Sequence, residues 1–150
     1  MRARNNLTIG ALATETQCSV PTIRYYEDIG LLPKASRRQG GHRVYGEADL
    51  QRLTFVRRCR DFAFPIEQVR ELVALVDAPE RDCIAARDVA QAHLTEVRKK
   101  LGELRALEES LKGFVADCNA QCAGGPAGAC VFLEDLVTPK SGDIARTGRR

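Results

Sequence analysis

The stretch from residue 84 to residue 118 constrains the fold more than any other part of the chain. It contains no proline, and its glycines are Gly102 and Gly113. Its apolar residues recur at intervals of three or four, the spacing of a helix that packs along one face. They are Leu94, Val97, Leu101, Leu104, Leu107, Leu111, Phe114 and Cys118. The pattern predicts one continuous helix, which at 1.5 Å per residue is about 50 Å long.

A helix of this length needs a partner along its apolar face, because the residues that follow it are too few to cover that face. We therefore predict that residues 84–118 form a dimerisation helix, which pairs with the same helix of a second copy. Packing against the N-terminal half of its own chain is the alternative.

Charge and composition restrict the class of protein. The chain carries 23 Lys and Arg against 20 Asp and Glu. Residues 1–76 hold 12 basic and 8 acidic side chains, and this local surplus favours an anionic partner. An apolar fraction of 44% excludes disorder along the whole chain.

The sequence also indicates the compartment. It has no apolar run of about 18 residues, so we expect no membrane partner. Its first residues lack the apolar segment of a secretory signal, so we expect a cytoplasmic protein. Its six cysteines should then be reduced and available for metal binding or thiol chemistry.

Residues 8–30 have the pattern of two short helices joined by a tight turn. Thr8 and Ser19 are residue types that cap helix N-termini, and Gly30 is a residue type that ends a helix. The pattern predicts a helix-turn-helix unit.

Residues 33–45 read as a basic hairpin with its turn at Gly40-Gly41, and two further helices follow over 47–62 and 65–76. The predicted fold is therefore mainly α-helical. It consists of a winged helix-turn-helix domain followed by the long dimerisation helix.

Double-stranded DNA is the predicted partner of the winged domain. The second helix would enter the major groove by its N-terminal part, where Arg24 can meet a phosphate or a base edge. The wing arginines would hold the flanking backbone, and Tyr45 would donate to a phosphate. A solvated arginine face is the alternative. The predicted DNA-binding residues are Ser19, Thr22, Arg24, Tyr25, Arg37, Arg38, His42, Arg43 and Tyr45.

Several stretches in order resemble the MerR family of winged-helix transcription regulators: TIGALA, TIRYYEDIGLLP, the wing R-x-x-G-G-H-R-V-Y and the helix RLTFVRRCRDF. The resemblance extends over residues 7–136 and is closest to the cadmium/lead-type sensors, whose tails also carry C-N-A-Q before a final cysteine. His42 departs from the family pattern, which usually has an aromatic residue there.

The cysteines form the second group of candidate site residues. Cys83 precedes the long helix, Cys118 ends it, and Cys130 follows the next loop. One chain cannot bring Cys83 and Cys118 together, because 35 helical residues span about 50 Å. In an antiparallel coiled coil of two copies, Cys83 of one copy lies beside Cys118 and Cys130 of the other. Three thiolates suit a soft or borderline divalent ion such as cadmium, lead, zinc or mercury.

The remaining cysteines receive different assignments. Cys122 is a fourth ligand, a replacement for Cys118, or an exposed thiol. Cys18 and Cys59 lie on apolar helical faces and are expected to pack in the core. The family resemblance implies that a cysteine at the position of Cys83 selects divalent ions, where monovalent sensors have serine.

The sequence thus predicts a homodimeric regulator that activates metal-resistance genes when a divalent heavy metal binds at the dimer interface. The resemblance implies that metal binding reshapes the promoter so that RNA polymerase can engage it. The alternatives are a thiol-redox regulator on the same fold and a metal-buffering protein without DNA activity. No catalytic motif appears, so we expect no enzyme. In the predicted organisation, residues 7–76 form the winged domain, residues 77–83 form a linker and residues 84–118 form the dimerisation helix. Residues 119–136 form a metal-binding loop and a short helix, and residues 137–150 form a flexible tail.

Overall fold

The computed structural model describes residues 6–37, 40–121 and 124–138. It confirms a mainly helical chain with a helix-turn-helix, a small wing and one long helix. The elements in chain order are α1 (Ile9–Thr16), α2 (Val20–Asp28), β1 (Ser36–Arg37), β2 (Arg43–Val44), α3 (Glu47–Asp61), α4 (Ile66–Val76), α5 (Ile84–Gln121), a 3₁₀ turn (Ala127–Ala129) and α6 (Val131–Val137). Arg38, Cys122 and residues 139–150 lie outside the described residues.

The predicted caps begin the first two helices. The Thr8 hydroxyl accepts a hydrogen bond from the Ala11 amide at 3.1 Å. The Ser19 hydroxyl accepts one from the Thr22 amide at 3.2 Å. Each cap satisfies a backbone donor that the first turn of a helix leaves unpaired, so the start of each helix is determined locally.

The wing is a two-stranded antiparallel hairpin in which Ser36 pairs with Val44 and Arg37 with Arg43. Gly40 and Gly41 have φ values of 108° and 83°, a conformation that glycine adopts without steric cost. The base of the hairpin is extended by an antiparallel bridge between Leu7 and Tyr45. The segment before α1 is thereby attached to the wing.

The hydrophobic core lies within the winged domain, where α1, α2, α3 and α4 and the base of the wing meet. Burial of these apolar side chains is the main favourable contribution to its folding. The largest fully buried residues are Leu12, Ile23, Leu31, Leu32, Tyr45, Leu53, Val56 and Val69.

Helix α5 is continuous from Ile84 to Gln121, three residues beyond the predicted end, and none of its residues is buried. It runs on because Asn119, Ala120 and Gln121 contain neither proline nor glycine. The chain divides into two compact units, Met1–Leu94 and Thr95–Arg150. No helix among the described residues is long and apolar enough to cross a membrane.

The apolar stripe of α5 differs from the prediction near its end. The Phe114 ring packs against Phe132 of α6, with ring centroids 4.9 Å apart. Val115 is 60% exposed and lies beside Leu104, Leu107 and Leu111 in one groove. The exposed stripe therefore continues from Leu111 to Val115, one helical turn further on, whereas Phe114 packs against α6.

Candidate DNA-binding surface and candidate metal centre

Helix α2 presents a polar face outward and an apolar face inward. Ile23 and Tyr26 are buried in the core, whereas Arg24 is exposed and Tyr25 is 50% exposed. Ser19 and Thr22 are two of the predicted DNA contacts. Their hydroxyl groups form a hydrogen bond with each other, with the oxygen atoms 2.7 Å apart. Their side chains therefore already take part in the cap of α2.

The wing and α2 enclose a basic groove of about 620 Å³. Four of the predicted DNA-binding residues line it together: Arg24, Arg37, His42 and Arg43. Its lining contains three arginines and no carboxylate, so the lining itself is positively charged. The groove has the charge that a phosphate backbone requires.

A buried side chain, Glu27, connects the two sides of this groove. It is a carboxylate of α2 that is 5% exposed. It accepts hydrogen bonds from the Tyr45 hydroxyl at 3.0 Å and from the Ala35 amide at 3.1 Å. The Arg43 guanidinium lies 3.7 Å from its other oxygen. Glu27 therefore links α2 to both arms of the wing.

Tyr45 does not occupy the position that the sequence predicted. It is 1% exposed, and its hydroxyl donates to Glu27 rather than facing outward. Burial, followed by the hydrogen bond and negative charge of Glu27, raises the pKa of Tyr45 to about 12. The expected phosphate contact was wrong because the ring completes the core below the wing.

The candidate metal ligands are distributed over both units. Cys83 is exposed immediately before α5, in the first unit. In the second unit, the sulfur atoms of Cys118 and Cys130 lie 3.9 Å apart. Among the residues that the structure describes, no group of three or more His, Cys, Asp or Glu side chains is close enough to hold a metal ion.

The sulfur separation agrees with the geometry of a thiolate metal site. With metal–sulfur bonds of about 2.3 Å, two thiolates lie about 3.8 Å apart in a tetrahedral site and about 4.0 Å apart in a trigonal one. The observed 3.9 Å falls between these values. A linear two-sulfur site would need about 4.6 Å at the same bond length. The pair thus suits an ion that has further ligands.

Cys18 and Cys59 lie where the sequence predicted. Cys59 is buried in the core, and Cys18 packs against that core. Burial raises the pKa of the Cys59 thiol, which disfavours the thiolate form that binds metals.

Two family models match the chain. A model of the MerR HTH family of regulatory proteins matches residues 7–75, and a model described as MerR, DNA binding, matches residues 50–114. The transcriptional regulator HmrR of Rhizobium leguminosarum bv. viciae is 36% identical over 130 residues, covering 87% of this chain and 97% of HmrR. The chain belongs to the MerR family.

Further relatives of this MerR-family protein have similar coverage. The transcriptional regulator ZntR of Escherichia coli K12 is 35% identical over 137 residues, which are 89% of this chain and 94% of ZntR. The crystal structure of the regulator PbrR691 from Ralstonia metallidurans CH34 in complex with lead(II) superposes with a TM-score of 0.75. That match has 38% identity and covers 87% of this chain and 98% of that one.

The structure of this MerR-family protein also places residues in the groove that the sequence did not predict. Thr8, Ile9 and Gly41 line it beside the arginines. The cap signature of Thr8 was visible in the sequence, but its proximity to the wing depends on the bridge between Leu7 and Tyr45. No local pattern encodes that bridge.

Proposed function

We propose that this protein binds promoter DNA as a homodimer and activates metal-resistance genes when a divalent soft or borderline ion binds cysteines at the dimer interface. The observation that carries the proposal is the Cys118–Cys130 sulfur pair, 3.9 Å apart. This spacing suits a metal site with three or four ligands. The described residues of one chain supply two of them, so a second copy would supply the rest.

DNA binding is supported by the basic groove between α2 and the wing. Arg24 comes from the helix expected to enter the major groove, and Arg37 and Arg43 come from the paired strands beside it. A helix and a hairpin that present arginines together suit simultaneous contact with a groove and the flanking phosphates.

Dimerisation is supported by the apolar stripe of α5. Leu104, Leu107 and Leu111 are 61%, 54% and 48% exposed, and they line a groove of about 570 Å³. Exposed apolar stripes of this kind mark protein interfaces. The occupant that the heptad spacing favours is a second α5, and an antiparallel pair would place Cys83 of one copy beside Cys118 and Cys130 of the other.

The class of metal follows from the ligands. Thiolates favour cadmium, lead, zinc or mercury over hard cations such as magnesium. One structural relative agrees with a response to such ions, since PbrR691 was solved in complex with lead(II). Cys122 keeps its three alternatives: a fourth ligand, a replacement for Cys118, or an exposed thiol.

The proposed response is a change in DNA shape. Metal binding would favour one conformation of the dimer, and that conformation would bend and untwist the promoter so that RNA polymerase engages both promoter elements. Binding energy of the ion would drive the change only to the extent that the two conformations bind it with different affinity.

The decisive experiment measures reporter transcription across a panel of cadmium, lead, zinc and mercury salts, together with metal content by native mass spectrometry. Cys83→Ser should abolish induction and metal retention while leaving operator binding intact. Cys18→Ala is the matched control, because Cys18 belongs to the winged domain. Arg24→Ala should weaken operator binding with and without metal. Undiminished induction in Cys83→Ser would exclude the shared metal site.

A thiol-redox regulator is the second candidate, and the closeness of Cys118 and Cys130 favours it. Their thiols would lose two electrons and two protons to an oxidant such as a peroxide, forming a disulfide. Native mass spectrometry separates the candidates, since a bound metal adds mass and a disulfide removes two hydrogens. Family membership argues against a metal-buffering protein without DNA activity.

A further inference from the structure

His93 makes two contacts near the point where α5 leaves the first unit. Its ring stacks on Phe64, with ring centroids 4.3 Å apart and planes inclined by 29°. Its Nε2 atom lies 2.8 Å from the carbonyl oxygen of Phe62. A carbonyl only accepts hydrogen bonds, so Nε2 carries the proton and donates. The first unit ends one residue later, at Leu94.

The turn that His93 contacts is firmly held by α3. The Phe64 amide donates to the carbonyl of Cys59 at 3.1 Å. The Arg60 guanidinium donates to the carbonyl of Phe64 at 2.6 Å. The Phe64 side chain also packs against the hydrophobic core. His93 is therefore anchored to a rigid part of the winged domain.

The first turns of α5 border an open groove. A groove of about 590 Å³ is lined on one side by Gln68, Glu71 and Leu75 of α4 and on the other by Asp88 and Val89 of α5. The side-chain oxygen of Gln68 is buried without a hydrogen-bond partner among the described residues. No α5 residue is buried. A helix that borders an open groove at its base can change its angle when a local contact such as that of His93 is released.

We propose that His93 is a positioning residue that clamps the base of α5 onto the turn between α3 and α4, and that the inducer signal passes to the winged domain through this clamp. The inference rests on the proposed function for the signal, but the clamp itself does not depend on a metal.

The test uses the full-length protein and the variants His93→Ala, His93→Phe and His93→Gln. The phenylalanine variant keeps the ring stack, and the glutamine variant keeps a hydrogen-bond donor. Glu96→Ala is the matched control, since Glu96 is exposed on α5 in the following turn. Four quantities are measured: amide hydrogen exchange over residues 84–93, metal-free operator affinity, cadmium(II) affinity, and the ratio of transcription with and without cadmium(II).

In His93→Ala, exchange over residues 84–93 should accelerate by about tenfold, while exchange in α1 to α4 stays unchanged. Cadmium(II) affinity and metal-free operator affinity should stay at the parent values. The induction ratio should fall by about fivefold or more, which is the size of a typical coupling between two sites. His93→Phe and His93→Gln should lie between His93→Ala and the parent, and Glu96→Ala should match the parent.

Two outcomes for His93→Ala overturn the inference. Unchanged exchange in His93→Ala would show that no clamp exists, whatever the metal response. Faster exchange with an undiminished induction ratio would show that the clamp does not transmit the signal. If His93→Ala fails to fold, the two conservative variants decide by the same criteria. A parent protein that responds to no metal would refute the proposed function and the signalling role, while hydrogen exchange would still test the clamp.

Discussion

Glu27 connects the elements that carry the candidate DNA-binding residues. Its carboxylate is buried, and burial of a charge is costly unless hydrogen bonds and an opposite charge compensate it. Tyr45, the Ala35 amide and Arg43 supply that compensation at 3.0, 3.1 and 3.7 Å. The same contacts connect the wing to α2, so Glu27 helps to set the spacing of the wing arginines relative to Arg24.

The raised pKa of Tyr45 predicts a loss of stability at high pH. In the folded protein the pKa is about 12, above the ordinary value of 10.0. Between these two values the unfolded chain loses the Tyr45 proton before the folded chain does, so rising pH favours unfolding. Below pH 10 the contribution is fully present. The free energy of unfolding, measured by urea denaturation from neutral pH to pH 12, should therefore fall more steeply for the parent than for Tyr45→Phe.

Tyr25→Phe is the matched control, because Tyr25 is 50% exposed. Its pH profile should follow the parent. Equal slopes for the parent and Tyr45→Phe would contradict the prediction, and titration of tyrosinate absorbance provides an independent check on the same side chain.

Arginine side chains perform two different tasks in the winged domain. The Arg57 guanidinium donates to the carbonyl of Thr16 at 2.6 Å, and that of Arg70 donates to the carbonyl of Ile29. The Nη2 atom of Arg52 donates to both carboxylate oxygens of Asp77, at 2.5 and 2.6 Å. These arginines connect helices to one another. The number of basic side chains in residues 1–76 is therefore larger than the number available to contact DNA.

At the scale of elements, three helices end in the same way. Gln17 after α1, Gly30 after α2 and Ala63 after α3 all have positive φ, of 54°, 75° and 59°. At each end an amide one residue further on donates back to a carbonyl five residues earlier. This left-handed ending satisfies carbonyls that the last helical turn leaves unpaired.

The end of α3 predicts a stabilising substitution. Ala63 pays a steric cost of about 1–2 kcal/mol for its left-handed conformation, and glycine avoids that cost. Glycine loses more backbone entropy on folding, about 0.5–1 kcal/mol, so Ala63→Gly should raise the free energy of unfolding by about 0.5 kcal/mol.

Ala74→Gly provides the opposite case, because Ala74 is exposed inside α4. It should lower the free energy of unfolding by about 1 kcal/mol. Urea denaturation of the two variants beside the parent measures both signs. A loss of stability in Ala63→Gly would contradict the account of this turn.

At the scale of the whole molecule, the apolar stripe of α5 predicts self-association. Leu107 is 54% exposed in a single chain and lies in the apolar groove of that helix. Leu107→Glu would place a carboxylate in the seam between two copies, where it has to be desolvated. We expect this variant to sediment as a monomer at concentrations where the parent sediments as a dimer.

Lys99→Glu is the matched control for this change. Lys99 is exposed on α5 and does not belong to the apolar stripe, so its variant introduces the same carboxylate outside the seam. It should remain dimeric. A dimeric Leu107→Glu would show that α5 does not form the interface.

The sequence alone was sufficient wherever the determining interactions are local. Thr8 and Ser19 cap their helices through contacts three residues away, and Gly40-Gly41 forms the wing turn through its own backbone freedom. The long helix was predicted because periodicity and the absence of proline act within each turn. Its end was misplaced by three residues because the loop composition after Cys118 contains no residue that stops a helix before Gly124.

The tertiary structure decided which polar groups face the solvent and which face each other. Tyr45 bonds to Glu27 across 18 residues, and Arg57 bonds to Thr16 across 41. The sulfur atoms of Cys118 and Cys130 approach to 3.9 Å because the chain turns back after α5. Such contacts depend on how separate helices pack, and burial changes a side chain's partner and its pKa without leaving any mark in the neighbouring sequence.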